Sequence, residues 1–300
     1  MQPERQEIIA RTHWLGILSN AGLAAVKLGV GALAGSRALL ADGVHGLSDV
    51  AMNLGAWVGW RLASRPRDSD HHYGHGNIEA LTTVGVGLVV VTAGIGLGWT
   101  ALHGQSTVGP DALGLAAVAV ELVSVAIKVG LARVTGRRGR ELDSPILVAI
   151  SRDNAADVLT SALVMIAIIA AILGLRWLEP AAAVIIGVII AWHGLRSARE
   201  GLDVLMDRVS DPGLAAEIVG IAARVPGVRS VDDVRVHPLG THLRADLEIS
   251  VDGTIEVHEG HAIAHEVERA VTEASARVHE VSVHVNPVSE PAQDLPAADH

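Results

Sequence analysis

Residues 146–174 read ILVAISRDNAADVLTSALVMIAIIAAILG, an apolar run broken near its start by Asp153 and Asp157. As a helix it can cross roughly 30 Å of hydrocarbon, which takes on the order of 20 residues. Five further runs of this kind lie at about 13–34, 38–60, 80–102, 112–134 and 178–195. Half of the 300 residues are hydrophobic and mean hydropathy is +0.39, more apolar surface than a water-soluble chain of this size covers easily. The expected fold is therefore an all-α, six-helix transmembrane domain over residues 13–208, after a short N-terminal segment, 1–12. The first run is read as a span, not a cleaved signal peptide, because it is long and further spans follow at once. Gly85, Gly87, Gly94, Gly96 and Gly98 crowd the third run, which predicts close helix packing there.

Charge divides the chain in two. Residues 1–200 carry 16 Lys and Arg against 15 Asp and Glu, whereas residues 201–300 carry 7 against 18, so the formal charge of −10 arises in the last third. An acidic, segregated tail argues against nucleic-acid binding. The absence of cysteine excludes disulfides, thiolate metal sites and cysteine nucleophiles. Arginines follow the second, fourth and sixth runs and precede the first, while Arg37 and Arg176 stand alone on the other side. Positive charge marks the cytoplasmic face, so both termini are expected inside a cell membrane, plasma or inner.

Beyond Asp207 the pattern shortens. Ser210-Asp211-Pro212 reads as a helix start leading into Leu214–Val225. Two alternating strands, Val228–Val236 and His242–Val251, are separated by Pro238-Leu239-Gly240, followed by a helix over Val257–Ser275 and a strand over Val278–Val285. This αββαβ order over residues 209–288 predicts a small α+β domain with its helices on one face of an open sheet. Residues 289–300 read as a disordered Pro/Ala tail.

Ionisable groups inside spans are costly and each needs a reason. The second run holds His45 and Asp49, the fifth Asp153 and Asp157; both are i, i+4 pairs, with their side chains one turn apart on one face. Facing each other, the pairs would offer three carboxylates and one imidazole, a shell suited to a divalent transition metal. Such ligands bind metal only when deprotonated, so metal and protons should compete. Asp42 is read as a cap or interfacial residue, and Lys27, Glu121 and Lys128 as structural charges. Asp207 is expected to pair with an arginine where the two parts join.

The stretch from Leu39 to Asp49 (LLADGVHGLSD), the loop from Asp70 to Glu79 (DHHYGHGNIE) and Ser151–Asp157 (SRDNAAD) resemble the cation diffusion facilitator family. The resemblance extends to Val283-His284-Val285-Asn286-Pro287. It implies a six-span, homodimeric exporter of divalent metals with a ferredoxin-like cytoplasmic domain, and places the transport site at His45, Asp49, Asp153 and Asp157. It also implies a loop metal site at Asp68, His71 and His75, with His72 less favoured, and a cytoplasmic-domain site at Asp232, Asp246, His261, His284 and Asn286. The neighbouring His261 and His265 offer a further pair. Zinc members commonly carry His where this chain has Asp153, whereas the Asp-Asn-x-x-Asp pattern is similar to manganese- and iron-handling relatives. The imidazole of His45 tips the expectation to Zn2+, with Mn2+, Fe2+, Co2+ and Cd2+ as alternatives and protons as counter-ions. The expected activity is proton-coupled metal export, not enzymatic chemistry. The readings from other classes are a membrane metal sensor and an intramembrane metal-dependent hydrolase.

Overall fold

The structure is a computed structural model that describes residues 3–104, 107–142, 144–209, 211–239 and 242–288. Six long helices come first: α1 (Pro3–Ala34), α2 (Arg37–Ala63), α3 (Asn77–His103), α4 (Ala112–Glu141), α5 (Pro145–Ile172) and α6 (Leu178–Leu205). All but α2 are long and apolar enough to cross a membrane. At 27 residues α2 has the length to span about 40 Å. Its hydropathy is diluted by Asp42, His45, Ser48, Asp49 and Asn53, the polar residues that make it interesting. Two helices overrun their apolar cores. α1 begins ten residues before the apolar run at 13, and α4 continues through the arginine-rich segment to Glu141. The tail at 289–300 falls outside the described residues, as do Ser210 and Gly240.

Chain contacts divide the molecule into two units, residues 1–57 with 82–199, and residues 58–81 with 200–300. In the first, buried aliphatic residues from all six helices form one core, among them Leu39, Val90, Ala117, Ile168 and Ile186. Ser144, with Pro145 at the first position, caps α5 by accepting from the Leu147 N–H. The start of α2 is capped from another helix: Glu179 of α6, fully buried, accepts from the Ser36 hydroxyl at 2.7 Å and the Ala38 N–H at 3.0 Å. A carboxylate at a helix N-terminus answers its unpaired N–H groups and its dipole. Asp42 is therefore not the cap; it lies inside α2 and is buried.

The glycines explain how α3 meets α6. A Cβ on Gly94 would stand 2.6 Å from the backbone of Gly187 and Ala191, and one on Gly87 would stand 2.7 Å from the backbone at Gly194 and Ala198. Gly187 and Gly194 are equally crowded from the α6 side, Gly187 against the backbone of both Gly94 and Gly98, whereas a Cβ on Gly85 or Gly96 would meet nothing within 4 Å. Backbone cannot retreat as a side chain can. Gly94→Val is expected to destabilise the bundle by about 1–3 kcal/mol, the usual cost of overpacking, measured as thermal unfolding in detergent, while Gly96→Val should be neutral.

The C-terminal domain has the expected order: α7 (Leu214–Ala222), β1 (Ser230–Leu239), β2 (His242–Asp252), α8 (Val257–Ala274) and β3 (Val278–Val288). The sheet order is β1-β2-β3, with β1 antiparallel and β3 parallel to β2. Ala245, Leu247, Ile249 and Val251, alternate residues of β2, pack with Leu214 and Ile218 of α7 and Val267 and Val271 of α8, so both helices cover one face. Three local expectations change. Pro238 and Leu239 belong to β1, pairing with Leu243 and His242, because an edge strand tolerates proline. Pro212 precedes α7 instead of opening it; the Asp211 carboxylate accepts from the Gly213 N–H and pairs with Arg277 at 2.8 Å. Asp207 pairs with His237, at 2.5 Å, and not with an arginine.

Candidate metal centre

The first unit contains a polar cavity near the middle of its helices, lined by His45, Asp49, Met52 and Asn53 of α2, Ile150, Asp153, Asn154 and Asp157 of α5, Asn20 of α1 and His193 of α6. One ligand atom each from His45, Asp49 and Asp157 falls within 4.8 Å of the others, close enough to hold a single ion. The His45 Nε2 lies 3.5 Å from Asp157 Oδ1. These three converge because each i, i+4 pair keeps its side chains on one face of its helix. Asp153 lines the same cavity but stands outside the group of three and is exposed. The fourth expected ligand is thus beside the centre, not in it.

Two residues not foreseen as parts of this site belong to it. His193 lines the cavity, its ring centroid 6.0 Å from that of His45. It is one of two ionisable groups in the sixth apolar run, with Glu179, and the rule that each such group needs a reason would have found it. Lys128, buried on α4, pairs with Asp157 Oδ2. Two cavity-lining amides also matter: the Asn20 and Asn154 Oδ1 atoms are buried without a hydrogen-bond partner. Each is an acceptor oxygen left unsatisfied, and such groups in a native core call for an explanation.

A second buried charge cluster lies in the same unit. Lys27 of α1 pairs with Asp42 of α2 and lies 3.2 Å from Glu121 Oε2 of α4; Ser161 of α5 receives a 3.0 Å hydrogen bond from Lys27 and donates to Asp42 at 2.9 Å. Lys27, Asp42 and Glu121 are all nearly inaccessible, which makes this a three-helix ionic core and not an interfacial set.

In the second unit, Asp68, His71 and His75 also bring ligand atoms within 4.8 Å. His71 Nδ1 is 3.1 Å and His75 Nε2 3.4 Å from the Asp68 carboxylate. His72 turns instead to the Ser69 carbonyl, at 3.0 Å. Gly74, at φ 83°, allows the reversal that returns His75 to Asp68. The backbone N–H of His71, then its ring and the N–H of Asp70, hold the Asp68 carboxyl below the usual carboxylate range, so it stays charged near neutrality.

The residues expected to bind metal in the C-terminal domain do not gather as one set within one chain. Asp232 accepts from Ser250 at 2.6 Å, Ser230 at 2.8 Å and Asn286 at 3.4 Å. The Ser250 and Ser230 hydroxyls hold its carboxyl low. Asp246 and His284 share a shallow cleft on the helix-free face of the sheet, with Asp246 bonded to Arg244 at 3.0 Å. His261 is on α8, its Nε2 3.0 Å from that of His265. Among the described residues, the groups in the bundle and in the loop are the two that bring ligand atoms from three His, Asp or Glu residues within 4.8 Å of one another.

Two family models match the chain. Residues 13–206 match the cation efflux transmembrane domain and residues 211–288 the cation efflux protein cytoplasmic domain. The chain is 27% identical to the manganese efflux system protein MneP of Bacillus subtilis over 97% of its own length and 100% of that protein's. It is 30% identical to the magnetosome protein MamM of Paramagnetospirillum magneticum, over 94% and 88% of the two lengths. A nickel form of the MamM C-terminal domain aligns with 26% of this chain and all of that one, at 32% identity and a TM-score of 0.26.

Proposed function

The chain belongs to the cation diffusion facilitator family of metal efflux transporters, and from that premise we propose that it exports a divalent first-row metal ion from the cytoplasm in exchange for protons. The observation that carries this reading is the convergence of His45, Asp49 and Asp157 inside a membrane-spanning bundle. Asp153, one turn from Asp157, is the fourth ligand in this reading, closing on the ion as α5 shifts. A rocking of the bundle exposes the ion to the far side. Protons then take the ligands the metal leaves, and the site returns carrying them inward. The arginines at the ends of α2, α4 and α6 favour cytoplasmic termini. The match of residues 211–288 favours a homodimer joined through the C-terminal domain, with the Asp68 loop as a second, weaker metal site.

Support for Mn2+ and Fe2+ ahead of Zn2+ comes from donor chemistry. Three carboxylates and two unpaired amide oxygens, against the imidazoles of His45 and His193, make an oxygen-rich lining, which suits Mn2+. The name of the manganese efflux relative points the same way. The imidazole of His45 keeps Zn2+ in the set.

The test is metal flux into vesicles reconstituted with the protein, under an imposed pH gradient, for Mn2+, Fe2+, Co2+, Zn2+ and Cd2+ in turn. Flux with accompanying proton movement is expected, greatest for Mn2+ or Fe2+. Asp153→His should turn the profile toward Zn2+, because it exchanges an oxygen ligand for a nitrogen. Absence of flux for every ion would end the transporter reading.

A further inference from the structure

We propose that Lys128 is a resident counter-cation of the transport site that weakens its grip on the metal and thereby helps release it. The inference rests on the reading of His45, Asp49 and Asp157 as the transport site. Its own warrant is the way the two oxygens of Asp157 are shared: Oδ1 faces His45 and Oδ2 holds the Lys128 ammonium. The metal can then meet Asp157 through one oxygen only.

Lys128 has reason to be there. It is buried on α4 in line with Ser124 and Glu121, also buried. Glu121 is engaged by the other buried lysine, Lys27, which also serves Asp42. Lys128 is left with Asp157 as its ion-pair partner. Each lysine therefore serves its own carboxylates, and the one beside the cavity serves the centre that must change its charge during a cycle.

Formal charge makes the role definite. The carboxylates of Asp49, Asp153 and Asp157, a divalent ion and one ammonium sum to zero, whereas without the ammonium the loaded site keeps an uncompensated negative charge inside the membrane. Lys128 also repels the incoming ion, and Coulomb terms between charges a few ångströms apart are large even at an intermediate dielectric. The site gives up affinity and gains release.

The experiment measures KM and turnover for Mn2+ flux in vesicles holding the full-length protein, with Mn2+ binding to the detergent-solubilised protein in parallel. Lys128→Met removes the repulsion: KM and the dissociation constant should fall by about tenfold, equivalent to about 1.4 kcal/mol, and turnover should fall with them. Lys128→Arg should act in the opposite sense, because a guanidinium fork takes both carboxylate oxygens and closes Asp157 to the metal; KM should rise by about tenfold. A merely structural lysine gives no such opposition. Unchanged affinity in either folded variant, or shifts of the same sign in both, would overturn the proposal. If Lys128→Met does not fold, the arginine variant decides by itself. A wild type that moves and binds no metal would instead remove the transport reading on which the proposal stands.

Discussion

Asp157→Ala is expected to abolish metal flux, with a loss of at least about 100-fold, since outer-shell partners of a metal site already cost 10–100-fold when removed. Asp157 is the residue through which the centre is wired. It lies 3.5 Å from His45, groups with Asp49, and pairs with Lys128. Alanine removes a ligand and also leaves the Lys128 ammonium buried without its carboxylate. Breaking a buried pair from one side typically costs about 3–5 kcal/mol, so the variant should unfold at lower temperature as well. Asp157→Asn separates the two effects. The amide keeps the shape and an oxygen for the metal but not the charge that holds Lys128, so partial flux should survive. Flux in the alanine variant within about threefold of wild type, far short of what losing a ligand costs, would mean that the ion crosses elsewhere.

The second large effect is structural. Lys27→Met should destabilise the bundle by about 3–5 kcal/mol, because it leaves Asp42 and Glu121 buried against each other with no cation between them. Neither carboxylate has water to turn to, since both are almost inaccessible. Replacing the whole set, Lys27→Met with Asp42→Asn and Glu121→Gln, should recover most of the loss, as removing an entire buried ionic group is often nearly neutral. Thermal unfolding in detergent measures both. A single variant as stable as wild type would mean that the cluster does not hold the three helices together.

These effects divide along what a sequence can express. The i, i+4 spacing of His45 with Asp49 and of Asp153 with Asp157 is a property of each helix alone, and all four residues line one cavity. Which member of a pair reaches the centre depends on how α2 and α5 are rotated against each other, and that rotation drew in Asp157 while leaving Asp153 at the rim. The same limit hid the partners of Lys128 and Lys27. Their positions were evident, but a lysine on a span names no carboxylate until neighbouring helices are set beside it. Glu179 shows the point at longer range: an acidic residue opening α6 looks like an ordinary first-turn acid, yet it caps α2. In the C-terminal domain period-two alternation settled the strands because burial on one face imposes it. The strand ends were less legible: β1 runs on through Pro238 to Leu239 and β3 on to Val288. The residues that the resemblance implied as ligands in that domain, Asp232, Asp246, His261, His284 and Asn286, do not come together as one set within one chain, beyond the contact of Asn286 with Asp232.

The most direct measurement is the position of bound Mn2+ in the reconstituted or crystallised protein, read from the anomalous scattering of the metal. A peak is expected among His45 Nε2, Asp49 and Asp157 Oδ1, lost in Asp157→Ala. Metal found only at the Asp68 loop, with the bundle cavity empty while flux continues, would contradict that expectation.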